Sequence, residues 1–464
     1  MQYEWRMASF ASLDLAPALA KAIEVLGFVD MTPVQEQTLP LLLQGQDVIA
    51  QAQTGSGKTA AFGLALLSRV RVTEPLVQGL VLCPTRELAD QITAELRRLA
   101  RFIPNVRVVT LTGGVPVRTQ TPGLTQPPHI VVGTPGRVLD HVRRRNVDLR
   151  KVSQLVLDEA DRMLDMGFRE AIEDVVKGLP RQRQTLLFSA TYNDEVRATS
   201  RSLQTQPAEV TVSAQATTTV QQIFHEVEAA KRFDALLAVL QHHQPESALI
   251  FCHTRNDTRD VAERLARAGF AAAALHGELE QRERDEVLLR FAHRSCTLLV
   301  ATDVAARGLD IKALPLVIAW ELPNDPDVHT HRVGRTGRAG EAGLAVALCA
   351  AAERNRAAAI EAAGAKVQWQ PLPPTQGTPA PAPAPMMTFV IEAGRDDKLR
   401  PADVLGALTQ ELGIAGTAVG KIDIGKTRAY VSIARAAAQG LATKLHDERN
   451  KLKLKGKSFR AFSL

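Results

Sequence analysis

Short apolar runs rich in β-branched residues recur along most of the chain, and each is followed by a polar or glycine-containing turn. They occupy residues 47–50, 80–83, 129–132, 155–158 and 185–188, and later residues 248–251, 297–300 and 316–319. Continuous apolar runs of this length are typical of parallel strands that are buried on both faces. Longer amphipathic stretches between the runs predict helices, and an apolar helix is predicted over residues 60–70. The pattern therefore predicts two α/β domains in tandem, each built on a parallel sheet.

Changes in composition predict where the domains end. Residues 206–222 are rich in Thr, Ala and Gln and separate the two sets of apolar runs. Residues 370–385 consist mainly of Pro, Ala, Thr and Gly, and alternating Pro-Ala supports neither a helix nor a sheet ladder. We expect domains over residues 1–210 and 218–368, a linker over residues 370–386, and a small third domain over residues 387–464.

The balance of charges is uneven along the chain. Residues 386–464 carry 14 Lys and Arg against 8 Asp and Glu. The whole chain has 56 basic and 50 acidic residues, so residues 1–385 carry 42 of each. The whole net charge of +6 thus lies in the last segment. This asymmetry favours a polyanion-binding module attached to an electrically balanced enzyme, and a solubilising basic tail is the alternative.

Bulk composition excludes several classes of protein. No run of 18 or more apolar residues is present, which argues against a membrane span, and the start of the chain has no secretory pattern. The four cysteines are scattered and form no CxxC pair, so neither a zinc site nor a disulfide framework is expected. A reducing cytoplasm is the expected location.

The first candidate for chemistry follows the strand at residues 47–50. Residues 52–59 read AQTGSGKT, which matches the phosphate-binding loop pattern GxxxxGK[ST] except that Ala52 replaces the first glycine. Such a loop wraps phosphate with backbone N–H groups, while Lys58 reaches phosphate oxygens and the Thr59 hydroxyl meets Mg²⁺. A flexible Gly-Ser turn beside a chance Lys-Thr pair is the alternative.

The second candidate is an acidic tetrad at the end of the strand over residues 155–157. In the run Asp158-Glu159-Ala160-Asp161, one acid can hold Mg²⁺ and its neighbour can deprotonate an attacking water. Alone, such a tetrad is usually a solvated turn. Together with a phosphate loop, it predicts phosphoryl transfer from a nucleoside triphosphate to water.

At this point the sequence resembles the DEAD-box RNA helicases of superfamily 2, over residues 10–345. Besides the loop and the tetrad, the motifs that carry the resemblance are residues 27–35 (GFVDMTPVQ), 84–89 (PTRELA), Gly113-Gly114, 134–137 (TPGR), 189–191 (SAT), 251–254 (FCHT), 281–284 (QRER), 301–310 (ATDVAARGLD) and 331–338 (HRVGRTGR). The resemblance implies two tandem RecA-like domains and an ATP-dependent, RNA-stimulated helicase.

The resemblance also implies roles at the ATP site. Phe10 would stack on adenine, and Thr32 and Gln35 would read the adenine edge. Lys58 would hold phosphate, Asp158 and Thr59 would bind Mg²⁺, and Glu159 would be the general base. Arg335 and Arg338 would act as arginine fingers, and Ser189 and Thr191 as a coupling element. The remaining residues implied in ATP binding are Phe28, Gly55, Ser56, Gly57 and Asp310.

For RNA, the resemblance points to one set of residues in each helicase domain. Small residues admit the RNA backbone closely, and hydroxyl and guanidinium groups bind its oxygens without reading sequence. For any single residue, a turn glycine or a solvated arginine is the alternative. The residues are Arg86, Gly114, Thr134 and Arg137 in the first domain, and Arg255, Gly277, Arg284 and Thr302 in the second.

The last segment predicts a small α+β domain in the order βαββαβ, as in RNA-recognition motif (RRM) domains. Residues 426–433 (KTRAYVSI) partly fit the RNP1 pattern of those domains, but Arg428 and Ile433 replace two aromatic positions. The segment resembles the specialised RNA-binding domain of the bacterial DEAD-box protein A (DbpA) family, which grips a hairpin of large-subunit ribosomal RNA. The residues expected to bind RNA are Arg395, Lys398, Arg400 and Lys421, with a second basic cluster of Lys451, Lys453, Lys455 and Lys457. A merely solvated edge is the alternative.

These observations predict an ATPase that opens RNA duplexes locally in 23S rRNA, on pre-50S ribosomal particles, as a monomer in the cytoplasm. A general helicase of cold shock or RNA decay is one alternative, for which a longer disordered basic tail is expected. A nucleotide-gated RNA clamp with little turnover is another, against which the intact Glu159, Arg335 and Arg338 speak.

Overall fold

The computed structural model describes residues 8–52, 56–212, 220–306, 314–337, 343–374, 381–447, 451–454 and 456–464. They divide into two compact units, one up to residue 212 and one from residue 220 onward. Within these ranges no helix is long and apolar enough to cross a membrane.

The first unit is a parallel sheet with helices packed on both faces. Its strands are β1 (Val48–Gln51), β2 (Gly79–Leu82), β3 (Val108–Leu111), β4 (Ile130–Gly133), β5 (Gln154–Asp158), β6 (Gln184–Ser189) and β7 (Ala208–Thr211). Its helices are α1 (Pro17–Val25), α2 (Pro33–Gln44), α3 (Lys58–Arg69), α4 (Arg86–Leu99), α5 (Val117–Gln120), α6 (Pro135–Arg143), α7 (Ala160–Asp165), α8 (Arg169–Lys177) and α9 (Asp194–Leu203). The strand order is β3-β4-β2-β5-β6-β1-β7, and the neighbouring strands pair in parallel.

Two hydrophobic cores lie on opposite faces of this sheet, and successive residues of a strand enter them alternately. In β1, Val48 and Ala50 belong to one core and Ile49 to the other. In β2, Val81 belongs to the first core, while Leu80 and Leu82 belong to the second. Because side chains alternate along a strand, burial on both faces requires a continuous apolar run. This explains the pattern from which the fold was predicted.

The second unit begins with another parallel sheet, which we call the second helicase domain. Its strands are β8 (Val220–Val227), β9 (Ala248–Cys252), β10 (Ala272–Leu275), β11 (Leu298–Thr302), β12 (Leu316–Ala319), β13 (Gly343–Ala350) and β14 (Val367–Trp369). Its helices are α10 (Arg232–His243), α11 (Arg255–Arg267), α12 (Gln281–Ala292), α13 (Asp303–Ala306), α14 (Pro326–Val333) and α15 (Arg354–Ala362). The strand order is β10-β11-β9-β12-β13-β8-β14, which is the order of the first unit at every position once the strands are counted from β8.

The C-terminal domain of this unit is a small antiparallel sheet covered by helices on one face. Its elements are β15 (Met386–Ile391), α16 (Pro401–Gly406), β16 (Val419–Ile424), β17 (Ala429–Ala434), α17 (Arg435–Asp447), β18 (Lys451–Leu454) and β19 (Lys457–Ser463). The strand order is β16-β17-β15-β19-β18. Phe389 and Val431 from the sheet share a core with Val404 and Leu441 from the helices. The predicted fold class, two RecA-like parallel-sheet domains followed by an RRM-like domain, is confirmed.

Several strands were not predicted, and their residues show why. The strand β10 reads Ala-Ala-Ala-Leu, a composition that carries no strand preference of its own. The strands β7 and β8 extend into residues 206–222, which had been predicted only as a separator. The strand β18 adds a hairpin beyond the predicted βαββαβ order. The domain boundaries given above stay predictions.

Candidate nucleotide site and RNA-contacting surfaces

The phosphate loop connects β1 to α3, and its last residues are fixed by contacts with their surroundings. Gly57 caps the helix with a φ of 92°, a left-handed conformation that favours glycine. Lys58 begins α3, is buried, and donates a hydrogen bond from Nζ to the Ala52 carbonyl at 3.0 Å. Thr59 follows and is half-buried. Gly55 lies outside the described residues.

The residues expected to read adenine lie directly against this loop. The Thr32 hydroxyl donates to the Ser56 carbonyl at 2.7 Å, and Gln35 Nε2 donates to the Gly57 carbonyl at 3.0 Å. The Thr32 N–H in turn donates to Gln35 Oε1 at 2.8 Å, which closes a capping box at the start of α2. The start of α2 and the phosphate loop are therefore one connected structure.

The two aromatic residues of the expected adenine site pack on each other. The rings of Phe10 and Phe28 are stacked, with centroids 5.9 Å apart and an interplanar angle of 27°. Phe10 is buried in the core of the first unit, and Phe28 is half-buried against it. The structure thus brings both residues together, and the stacking of Phe10 on adenine stays a prediction.

The acidic tetrad begins at the end of β5, next to the phosphate loop. Asp158 Oδ1 is 3.8 Å from Lys58 Nζ, and both side chains are buried. Burial raises the pKa of the Asp158 carboxyl to about 6, and the neighbouring Glu159 and Asp161 act in the same direction while Lys58 opposes them. A cation placed beside this carboxylate would offset the cost of burying its charge.

The oxygen atoms at this position suit a magnesium ion that binds together with the phosphates of a nucleotide. No group of three or more His, Cys, Asp or Glu side chains that could hold a metal occurs among the residues the structure describes. Magnesium prefers oxygen ligands and is commonly bound by one or two protein groups together with substrate phosphates. The Asp158 carboxylate and the Thr59 hydroxyl are suited to be the protein's ligands to such an ion.

Glu159, the expected general base, is held by a partner that the sequence analysis did not identify. Its carboxylate lies 2.8 Å from Arg162 Nη1, and both side chains are only a few per cent exposed. Glu159 also has a positive φ of 54°, which is uncommon for a residue with a side chain. The signal available in the sequence was the spacing of three residues between an acid and an arginine at a helix start.

The last acid of the tetrad contacts the SAT motif. Asp161 Oδ2 accepts hydrogen bonds from the Thr191 N–H at 2.9 Å, the Thr191 hydroxyl at 3.0 Å and the Ala190 N–H at 3.2 Å. The Asp161 N–H donates to the Ser189 hydroxyl at 3.2 Å. The tetrad and the SAT motif therefore form one hydrogen-bonded network, and the coupling role of Ser189 and Thr191 stays a prediction.

Two of the RNA-contact residues expected in the first unit lie against each other. The Arg86 guanidinium lies so close to the backbone of Gly114 that a Cβ there would be 1.4 Å from Arg86 Nη1. Gly114 has a φ of 81°. Thr134 directly precedes α6, on which Arg137 donates from Nη1 to Gln120 Oε1 at 2.9 Å. No motif in the sequence marks Gln120 as the partner of Arg137.

The RNA-contact residues expected in the second helicase domain fall into two pairs. Arg255, at the start of α11, is 2.5 Å from the carboxylate of Glu278, which directly follows the exposed Gly277. Arg284, on α12, donates to the Ala305 carbonyl at 2.8 Å, and the Ala305 N–H contacts the Thr302 hydroxyl at 3.4 Å. The contact of Arg255 with Glu278 joins the segments that follow β9 and β10, and that of Arg284 with Ala305 joins the segments that follow β10 and β11, at the carboxyl ends of these strands.

Arg335 is buried beside a second arginine that the sequence analysis left without a role. Arg332 makes two hydrogen bonds of 2.7 Å to the carboxylate of Asp303 and a third to the Glu321 carbonyl. Arg335 follows the end of α14 and is 2% exposed. Asp310 and Arg338 lie outside the described residues.

The basic residues expected to bind RNA in the C-terminal domain are exposed. Arg395, Lys398 and Arg400 lie between β15 and α16, and Lys421 lies on β16, 3.1 Å from Asp423. In β18, Lys451 and Lys453 are exposed while the leucines between and after them are buried, in agreement with the alternation expected for this cluster. Lys457 is exposed at the start of β19, and Lys455 lies outside the described residues.

Comparison with known protein families accounts for most of the chain. Residues 32–199 match the family described as DEAD/DEAH box helicase, and residues 231–340 match the helicase conserved C-terminal domain. Residues 388–461 match the DbpA RNA binding domain. The three matches follow the order of the three sheets described above.

Individual relatives give the same result. The chain is 48% identical over 457 residues to the ATP-dependent RNA helicase DbpA of Escherichia coli strain K12, covering 98% of this chain and 99% of that protein. It is 43% identical over 371 residues to the DEAD-box ATP-dependent RNA helicase CshA of Geobacillus kaustophilus, covering 80% and 79% of the two chains. The solved structure of S. cerevisiae Dbp5 bound to RNA and ADP BeF3 is similar with a TM-score of 0.72 and 32% identity, covering 78% of this chain and 96% of that one.

Proposed function

The chain belongs to the DEAD-box RNA helicases of the DbpA type, and on this basis we propose that it opens short duplexes of 23S rRNA during assembly of the large ribosomal subunit. Membership makes it an ATP-dependent RNA helicase whose ATPase activity is stimulated by RNA. The ribosomal target rests on the C-terminal domain. This domain holds the chain's whole excess of positive charge, and Arg395, Lys398 and Arg400 are exposed on it.

In the proposed hydrolysis step, Glu159 accepts the proton of the attacking water. The contact with Arg162 fixes the orientation of the carboxylate, which a general base requires. Lys58 and the loop N–H groups bind the phosphates. A magnesium ion, held through Asp158 and Thr59, would neutralise charge on the phosphates.

Two further groups of residues complete the proposal. Arg335 and Arg338 would stabilise the charge that spreads over the transferred phosphoryl group. The network of Asp161, Ser189 and Thr191 would transmit the state of the nucleotide site to RNA-contacting segments of the first unit. Among those segments, the paired Arg86 and Gly114 are suited to bind the sugar-phosphate backbone.

The proposal includes the cellular location and the oligomeric state of the protein. The four cysteines are free and buried, which suits the reducing cytoplasm. We propose that the protein works there as a monomer on pre-50S particles, with the C-terminal domain selecting the RNA and the helicase domains acting on nearby duplexes.

Mapping RNA that is crosslinked to the full chain in cells would test this target. Reads are expected to concentrate at a hairpin of 23S rRNA, and substitution of Arg395, Lys398 and Arg400 by Gln should disperse them. A wild-type pattern spread over messenger RNAs would instead support the alternative of a general cold-shock or RNA-decay helicase.

The clamp alternative is tested separately by turnover. RNA-stimulated phosphate release should continue over many cycles in the wild-type protein and be lost in Glu159→Gln. Release of about one phosphate per chain would contradict the helicase proposal and support the clamp.

A further inference from the structure

One face of the C-terminal sheet is buried although the described helices of that domain pack on the opposite face. Phe389 and Val431 lie in the core shared with the helices. The alternating positions Thr388, Val390 and Ser432 lie on the other face, and they are 1%, 0% and 1% exposed. In the sheet register Thr388 is opposite Ser432, and Val390 is opposite Tyr430. An RRM domain that stacks bases on its sheet would leave this face open.

The second helicase domain contacts this face through residues that directly follow α12. The Ser295 and Thr388 hydroxyl oxygens are 2.7 Å apart. His293 Nε2 is 2.8 Å from Asp423 Oδ2, and the His293 side chain is completely buried. Asp423 is opposite Tyr430 in the register, so it lies on the same face as Thr388. Because His293 and Thr388 are buried, each needs a hydrogen-bond partner, and the partner lies in the other domain.

An ion pair joins the same face to α12 itself. Arg428 Nη1 is 3.7 Å from Glu286 on α12, and Arg428 Nη2 is 3.5 Å from Glu392 in its own domain. Arg428 occupies the position at which the RNP1 pattern has its first aromatic residue. The arginine that replaces this aromatic residue therefore pairs with Glu286, a carboxylate of the second helicase domain.

The end of the linker lies along the second helicase domain as well. Pro381, Pro383 and Pro385 line a cavity together with Phe270 and Arg294 of that domain. Arg435, at the start of α17, donates to the carbonyl of Ala384 at 2.6 Å. The linker thus contacts both domains where it enters β15.

We propose that this sheet face is a docking surface for the second helicase domain and not a platform for stacked bases. Docking fixes the C-terminal domain against α12, the helix that carries Arg284. RNA then binds the C-terminal domain at the exposed turns at one end of its sheet, where Arg395 follows β15 and Lys426 lies between β16 and β17. A hairpin bound there stays at a constant distance from Arg284, so the two domains can bind the same RNA at the same time.

A crosslink across the interface tests whether the docked arrangement is the working one. In the full chain, Ser295→Cys combined with Thr388→Cys should form a disulfide on mild oxidation, because the two side-chain oxygens are already in contact. The oxidised protein should keep hairpin affinity and RNA-stimulated ATPase within about twofold of the reduced protein. The single variants control for disulfides with the native cysteines, which are buried.

Two results would overturn the proposal. One is failure of the two cysteines to crosslink while both single variants fold as the wild type does. The other is a crosslinked protein that loses hairpin binding, because bases would then need the covered face. Disulfide yield does not depend on which RNA is the target, so failure of the ribosomal assignment would be distinguishable.

Substitution of Arg428 provides an independent test. Arg428→Tyr restores the aromatic of the RNP1 pattern and removes the ion pair, while Arg428→Lys is the matched control that keeps a positive charge. With Arg428→Tyr we expect a lower rate of crosslinking between cysteines 295 and 388 and no gain in RNA affinity. An RNA affinity increased by about tenfold, the size of one stacked base, would show that the face accepts bases and would contradict the proposal.

Discussion

Asp161 accepts hydrogen bonds from both the backbone N–H and the hydroxyl of Thr191, at 2.9 and 3.0 Å. The acidic tetrad is therefore tied to the SAT motif by a side chain that is not expected to touch ATP. A carboxylate with several donors fixed around it holds the two segments in one arrangement. We expect this connection to link ATP hydrolysis to strand separation.

Removing the Thr191 hydroxyl should separate the two activities. In Thr191→Val one donor to Asp161 is lost, and a hydrogen bond to a charged group contributes about 1.5–3 kcal/mol. We expect duplex unwinding to fall by about tenfold or more while RNA-stimulated phosphate release changes far less. Both rates should be measured on the same RNA. Thr191→Ser, which keeps the hydroxyl, should behave as the wild type, and equal loss of both activities in Thr191→Val would refute the linkage.

Replacing Glu159 by Gln should abolish hydrolysis without preventing ATP binding. The amide cannot accept a proton, and a general base contributes about 10²–10⁴ in rate. Single-turnover phosphate release should fall by about that factor, whereas affinity for a fluorescent ATP analogue should be largely kept. If Glu159→Gln hydrolyses ATP at a rate near that of the wild type, another group must be the base.

The stability of the protein should depend on pH through Asp158. Its pKa is raised by burial to about 6, above its value in the unfolded chain, so the folded state binds the proton more tightly. Stability therefore decreases as pH rises from about 4 to about 6, by about 2–3 kcal/mol from this group. Asp158→Asn has no such titration. Without nucleotide, its stability relative to the wild type should increase by about that amount between pH 4 and pH 7.

Urea unfolding of both proteins across this pH range is the measurement. Saturating MgATP at pH 7 should reverse the order, because the ligand requires the ionised carboxylate and stabilises the wild type by binding. A difference between the two proteins that does not change with pH would mean that Asp158 titrates near its ordinary pKa.

Adding a methyl group at Gly114 should weaken RNA binding by displacing Arg86. The new Cβ would be 1.4 Å from Arg86 Nη1, and the φ of 81° adds backbone strain. We expect RNA affinity of Gly114→Ala to fall by about tenfold, measured by fluorescence anisotropy at several salt concentrations. Gly123→Ala is a suitable control, because a Cβ there meets nothing within 4 Å. RNA affinity that falls in Arg86→Ala but not in Gly114→Ala would show that Arg86 can bind RNA from another position.

The sequence predicted features whose cause is local. The continuous apolar run around Leu155 reflects burial on both faces of a strand, so it revealed β5 directly. The pattern around Lys58 revealed the phosphate loop, because glycines and a helix start are needed wherever a backbone wraps phosphate. The confirmed fold class and helicase activity both rest on such short segments.

What the sequence did not predict depends on contacts between distant segments. The strand β10 has an alanine-rich sequence and exists because β11 pairs with it. The bond between Arg332 and Asp303, and the pair of Arg428 and Glu286, join residues far apart in the chain. Each arginine taken alone is compatible with a solvated position, so only the folded arrangement identifies its partner.

The positive φ of Glu159 implies a conflict between the stability of the fold and its activity. A non-glycine residue in the left-handed region costs about 1 kcal/mol, and glycine or asparagine would relieve that cost. Laboratory selection for heat resistance alone would therefore favour replacement of the residue expected to activate water. The protein thus keeps a less stable backbone conformation at this position, at the residue expected to make ATP turnover possible.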